Sequence, residues 1–198
     1  EFCEAELYLA YKEGKLVGRV AAIINHKANK QWDTKAVRFG WIDFIDDIEV
    51  SRALLDAVGN YGKAHGMDNI IGPLGFTDMD PEGMLTDGFD QLGTMATLYN
   101  YPYYPLHMQE LGGWEKDNDY VEYKLIVPKE MPEKYMKVAQ MIEKRYDLHV
   151  RAMTRREIFK DGYGHKVFEV INETFKHLYG YSELSDRQID QYVKMYLP

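Results

Sequence analysis

Residues 51–74, "SRALLDAVGNYGKAHGMDNIIGPL", decide how the rest of this chain is read. From Glu49 onward Val50, Ala53, Leu54, Ala57, Val58 and Tyr61 recur at i, i+3, i+4, i+7, i+8 and i+11, one buried face of a helix. Gly66 suits the helix end, because a residue without Cβ takes the left-handed conformation without strain. "NIIGPL" then reads as a short, fully buried strand. Upstream, "VRFGWIDFID" alternates as a strand, with Val37, Phe39 and Trp41 on one side and Ile42 and Phe44 on the other. Strand, helix and strand at this spacing imply a right-handed parallel crossover, hence an α/β sheet.

Working outward, "ELYLAYKEGKLVGRVAAII" predicts a hairpin turning at Glu13-Gly14, and "HKANKQWDTK" a polar loop. Residues 75–119 read as a long irregular stretch, and "DYVEYKLIV" alternates again before Pro128. One α/β unit over residues 1–128 accounts for these elements. Beyond it, residues 133–146 predict a helix, "DLHVRAM" a short strand and residues 165–179 a second helix. Ser185 with Gln188 forms a capping box ahead of Ile189, Tyr192, Val193 and Tyr196. Residues 129–198 are thus expected to begin a second α/β unit that is left incomplete. The chain opens without methionine inside a strand pattern, so it is read as a segment of a longer protein that lacks its N-terminal part.

Composition narrows the function. The 198 residues carry a formal net charge of −8, which disfavours a nucleic-acid backbone or an anionic membrane as partner. The basic run "RAMTRREIFK" has no aromatic stacking platform and reads as a solvated connector. The single cysteine, Cys3, rules out an internal disulfide and fits a reducing compartment. With no signal peptide and no span-length apolar run, the expectation is a soluble, cytoplasmic protein.

The chemistry-bearing stretch is "IIGPLGFTDMDPEGMLTDGFDQ", residues 70–91. Asp78, Asp80, Glu82 and Gly83 imitate the start of a calcium loop, but the twelfth position is Phe89, not a bidentate Glu. The segment lacks the Gly-Lys-Ser/Thr ending of a phosphate cradle, and its acids repel an anion. The six histidines show no HxH or HExxH spacing, so no metal is expected. Its glycines and prolines constrain the backbone, and Phe76, Met79, Met84, Leu85 and Phe89 are available to pin it down. Packed long loops of this kind are often functional. The continuation "LYNYPYYPLHMQELGGW" adds Tyr99, Tyr101, Tyr103, Tyr104 and Trp114, which read equally as a site wall or as an aromatic core patch.

The element order and "SRALLDAVGNYGKAHGMDNIIGPL" resemble the central motif of the GNAT (N-acetyltransferase) superfamily. More narrowly, "GPLGFTDMDPEGMLTDGFDQ" with "YNYPYY" resembles a bacterial family of about twice this length, described as two tandem GNAT-like units. The resemblance implies a GNAT-like mixed sheet with flanking helices and acyl transfer from acetyl-CoA or another acyl-CoA. It also implies a small amine-containing substrate and a second GNAT-like unit of the same chain as partner. Where GNAT enzymes hold the cofactor's pyrophosphate on a Q/R-x-x-G-x-G/A loop, this chain has Asp46, Glu49 and Ser51 in "DDIEVS". The cofactor site of this unit is therefore expected to be degenerate. The family's tyrosine acid falls at Met108 or Gln109, and Tyr104 lies about a turn upstream.

On that reading Tyr104 or Glu110 moves a proton, and Asp87, Asp90, Asn100 and Tyr103 line one concave substrate surface. Residues 75–110 would then form an ordered wall over the C-terminal ends of the parallel strands, with the carboxylates facing water. The alternative is a GNAT-shaped module that binds a ligand or a protein without catalysis. Fold alone does not choose between them. An aminoacyl-transferring variant built from paired units is a third option.

Overall fold

The structure, a computed structural model, describes residues 2–94 and 97–197. The chain divides into two compact units. The first runs to Asp119 and includes Asn172–Leu184; the second is Tyr120–Ile171 with the residues from Ser185 onward. That division falls before the change in sequence texture at Pro128.

The first unit is built on a mixed sheet of order β1-β2-β3-β4, comprising β1 (Cys3–Lys12), β2 (Lys15–Asn25), β3 (Ala36–Phe44) and β4 (Asn69–Ile71). β1 and β2 form the expected hairpin, with Lys12 opposite Lys15 and Glu13 and Gly14 both at positive φ, as a type I′ turn requires. β2 and β3 are antiparallel, whereas β3 and β4 are parallel through Ala36↔Asn69, Val37↔Ile70 and Arg38↔Ile71.

Between β3 and β4 lies α2 (Ile48–Ala64), preceded by a short α1 (His26–Gln31). Asp47 caps α2 by accepting from the Glu49 amide, and Gly66 just past its end has φ 77°. The helix buries Val50, Ser51, Leu54, Leu55, Val58 and Gly62. Ala53 faces solvent, so the stripe is rotated toward Ser51 and Leu55. Against it the sheet presents Val20, Ala22, Ile24, Val37, Phe39, Ile42 and Phe44. Each Val, Leu, Ile or Phe side chain among them contributes about 1.5–3 kcal/mol when removed from water.

Strict alternation puts Ile42 and Phe44 on the face opposite Val37 and Phe39; the structure puts all four in one core. The cause is a bulge. Arg19 pairs with Asp43 but Ala21 pairs with Gly40, so β3 holds one extra residue, and Trp41 takes φ 45°. Trp41 is turned to the other face, where its ring lies 5.4 Å from Phe76.

Five further expectations are corrected. "HKANKQWDTK" contains α1, whose N-cap Asn25 accepts from the Ala28 amide. β4 is only three residues at the sheet edge, with Asn69 exposed and Ile70 and Ile71 half-buried. The stretch 75–119 includes a helix, α3 (Tyr103–Leu111). Neither "DYVEYKLIV" nor "DLHVRAM" is a strand: alternation creates strand potential, but no ladder partner meets either segment.

The second unit contains α4 (Glu133–Tyr146), α5 (Arg155–Phe159), the greater part of α6 (Tyr163–Phe175) and α7 (Asp186–Tyr196). The Ser185–Gln188 capping box is formed, and Phe168 of α6 stacks on Tyr192 of α7 with centroids 6.0 Å apart. Among the described residues no helix is long and apolar enough to cross a membrane.

Candidate functional site

Beyond β4 the chain crosses the sheet on the face opposite α2. There the Leu74 amide donates to the Phe39 carbonyl at 2.9 Å. The loop then tightens on itself: the Gly83 amide donates to the Pro73 carbonyl at 2.8 Å, and Asp80 Oδ2 accepts from the Phe76 and Thr77 amides at 2.9 and 3.0 Å. Gly75 has to be glycine here, because a Cβ would lie 2.2 Å from Asp80 Cβ. Leu74 and Thr77 are buried, and Asp78, Asp80 and Glu82 are half-buried. The three carboxylates thus rest against the sheet instead of facing open water.

Beneath them sits Arg38, 3% exposed. On β3 it alternates with Val37 and Phe39, so its side chain leaves the core and emerges under the loop. Its guanidinium donates to the Gly75 carbonyl at 3.1 Å and the Gly180 carbonyl at 3.0 Å. Gly180 belongs to a strap, residues 172–184, that the two central strands hold through Arg38 and Asn25. Asn25 Nδ2 donates to Phe76 O at 2.9 Å and Ser182 Oγ at 3.3 Å, and Trp32 Nε1 to Tyr181 O at 2.9 Å. Tyr181 is 1% exposed and donates to Asn172 Oδ1 at 2.6 Å.

Partial burial dominates the electrostatics. Desolvation raises Asp78 from 3.8 to about 6 against the opposing pull of Arg38. Glu82 rises from 4.5 to about 7, through desolvation first and then the charge of Asp78, with Arg38 again opposing. Asp80 is also raised by burial, although the Thr77 and Phe76 amides hold it down. Burial lowers Arg38 from its ordinary value, but a guanidinium remains a cation. The Cys3 thiol is pushed up by burial, and Tyr181 is pushed up to about 12 by burial and then by Asp78. Two carboxyls titrating near neutrality beside a fixed cation can accept and return a proton at physiological pH.

A second constellation lies at the other end of β3. Tyr103 donates its hydroxyl to the Phe44 carbonyl at 2.7 Å, and the Tyr104 hydroxyl accepts from the Phe44 amide at 3.3 Å. Together they satisfy the last backbone groups of β3. Tyr104 stacks on Phe44 at 4.1 Å, and both tyrosines are raised chiefly by burial. One turn further on α3, His107 has Nδ1 3.0 Å from Ser51 Oγ and Nε2 3.0 Å from Asp46 Oδ1. Serine, histidine and aspartate in line invite comparison with a hydrolytic triad. However, Ser51 is fully buried and its hydroxyl also donates to Ile48 O at 3.0 Å, so no substrate reaches it. The array fastens α3 to the first turn of α2. Sequence spacing carries no signal for it, because His107 lies 56 and 61 residues from its two partners.

The residues selected from the sequence are distributed differently. Asn100 clasps Leu85, accepting from its amide at 2.6 Å and donating to its carbonyl at 3.1 Å. Asp87 and Asp90 are exposed, Asp87 accepting from the Gly88 amide at 2.8 Å. No hydrogen bond or ion pair among the described residues joins either aspartate to Asn100 or Tyr103. Glu110 is exposed on α3. The expected single wall is two regions: the acidic loop lies across the sheet face, and the tyrosines sit at the C-terminal end of β3. Arg38 was not singled out in the sequence. A lone arginine inside a strand with apolar neighbours is the signal that points to it.

The first turn of α2 does not fit a diphosphate. The Glu49, Val50 and Ser51 amides already donate to Asp47. Lys12 pairs with Asp47, Arg52 with Glu49, and Asp46 with His107. An anion there would meet three carboxylates at the end of the helix that otherwise attracts it. Calorimetry on this chain with acetyl-CoA is therefore expected to give no binding tighter than about millimolar. Low-micromolar binding abolished by Arg52→Ala would overturn that expectation.

No protein-family model matches the chain. No solved structure matches it either. Among curated proteins it is similar to protein YghO of Escherichia coli (strain K12), 27% identical over 168 residues, 81% of this chain and 43% of that protein. It is also similar to a bacterial ceramide synthase of Caulobacter vibrioides, 24% identical over 206 residues, 98% of this chain and 50% of that protein. The chain spans about half the length of the curated relatives it matches.

Proposed function

We propose that this chain is part of a GNAT-type acyltransferase that forms an amide on an amine acceptor, with the acceptor nitrogen placed at the 78–82 loop. The observation that carries the reading is the pair Asp78 and Glu82, half-buried and raised to about 6 and about 7. It supports acyl transfer because this chain is similar, over nearly its whole length, to a ceramide synthase, named for a product that is an N-acylated amine.

An amine arrives at neutral pH as an ammonium ion and has no lone pair until it loses a proton. Carboxylates attract that cation, and a base titrating near 7 takes its proton without holding it irreversibly. Glu82 is assigned that role, and Asp78 supports the ammonium charge. Tyr104, raised and bonded to the Phe44 amide, keeps its proton and is a donor, not a base. Glu110 lies on the exposed side of α3 and is given no part in proton transfer. Acyl-CoA is the donor that the resemblance implies, but no step here runs through the first turn of α2. Those same acids favour one competing reading, a unit that binds an amine ligand without transferring anything to it.

The test is amide formation by the full-length protein from acyl-CoA and a graded set of primary amines, read by mass spectrometry. Glu82→Gln is expected to lower kcat by about 10²–10⁴-fold with KM little changed, as loss of a general base does. Unchanged turnover in Glu82→Gln would remove the base assignment. Amine binding without any amide product would favour the non-catalytic reading.

A further inference from the structure

We propose that Arg38 is the positioning residue of this site: from beneath, its guanidinium clamps the 75–82 loop and the 180–182 strap to the sheet and supplies the cation that the Asp78 and Glu82 carboxyls on that loop face. The inference rests on the reading of that loop as the reacting edge, but its test uses no activity.

The two carbonyls that Arg38 bonds lie 37 and 142 residues away in sequence, so one side chain joins three segments. A neutral cross-link would suffice for that alone. Asn25 already supplies one beside it, bonding Phe76 O and Ser182 Oγ. Burying a full cation where an amide would serve carries a far larger desolvation cost. The charge therefore has a task beyond the two carbonyls. Cys3 on β1, Asp78 and Glu82 on the loop and Tyr179 on the strap face the guanidinium, and Asp80 faces Glu82. Among these groups Arg38 is the cation that opposes desolvation at both carboxyls of the pair. Without it both stay protonated to higher pH, and a base that stays protonated accepts nothing.

Two substitutions separate clamp from charge. Arg38→Gln keeps amide donors for the carbonyls and removes the charge; Arg38→Lys keeps the charge and loses the fork. The side-chain carboxyl carbons of Asp78 and Glu82 are titrated by NMR in each full-length variant, with hydrogen exchange followed over residues 72–83 and 176–184. In Arg38→Gln both midpoints are expected to rise by about one pH unit, a tenfold change in proton affinity. In Arg38→Lys they stay within about 0.3 unit, while the amides of both segments exchange at least about tenfold faster. Midpoints unmoved in Arg38→Gln would overturn the positioning role. Exchange unchanged in Arg38→Lys would overturn the clamp. Neither result bears on whether Glu82→Gln loses turnover, so a failure here is distinct from a failure of the acyltransferase reading.

Discussion

Gly40→Ala is expected to destabilise the first unit by about 2–4 kcal/mol, a large share of a typical domain's stability. Gly40 lies on β3 next to the bulge, and its missing side chain faces the loop that crosses the sheet. A Cβ built there would sit 2.5 Å from the Leu74 carbonyl oxygen and 3.2 Å from its carbon. Those are backbone atoms, held in place by the Leu74 amide bond to Phe39 at 2.9 Å. The loop must lift or β3 must bend, and either movement loosens Gly75 and hence the Arg38 contact. Urea unfolding read by far-UV circular dichroism should show a lower midpoint with an unchanged m-value. A shift below about 0.5 kcal/mol would mean that the loop does not press on the sheet as described.

That glycine shows what could be read from the sequence and what could not. Hairpin, crossover helix and parallel pairing are local or period-based features, carried by residues 6–24 for the hairpin and 37–74 for the crossover. A glycine inside an otherwise apolar strand signals a bulge or a close approach, but not which backbone arrives. The bulge at Trp41 reverses the facing of Ile42 and Phe44, because one inserted residue flips every later side chain. α1 was hidden because "HKANKQ" has no apolar stripe, and a cap from Asn25 plus one buried alanine suffices for six residues. α3 was hidden by its prolines, although Pro102 sits at the N-cap and Pro105 in the first turn, where a missing N–H breaks no helical bond. The glycines, prolines and apolar residues of the acidic loop mark it as ordered, but they put its carboxylates in water, whereas Asp78, Asp80 and Glu82 are half-buried. What draws them inward is a cation from β3, signalled locally only by its apolar neighbours, and a strap from beyond residue 171, which no local pattern records.

Fold stability should fall, not rise, as pH increases from about 5 to about 8, and the double variant Asp78→Asn, Glu82→Gln should flatten that slope. Both acids are raised in the folded chain, Asp78 from 3.8 to about 6 and Glu82 from 4.5 to about 7. Between the ordinary and the raised values the folded chain binds protons that the unfolded chain has already released. Stability in that window therefore decreases with pH, and the contribution is gone once the pH passes the folded value near 7. The opposite behaviour belongs to Asp47, Glu157 and Glu173, which hydrogen bonds hold below their ordinary values. Their contribution is lost only as pH falls into the acid range, below the interval from about 5 to about 8. Because the loop acids keep part of their hydration, the slope should amount to roughly 1–2 kcal/mol per group, less than full conversion of the shifts implies. In the double variant neither side chain titrates, and replacing two half-desolvated charges by neutral amides should stabilise the chain at pH 8 by about 2–4 kcal/mol. Thermal unfolding at matched ionic strength across this range is the measurement. A wild-type chain whose stability stays level or climbs between pH 5 and 8, with the double variant tracking it, would place these carboxyls in open water and remove the base on which the proposed amide chemistry depends.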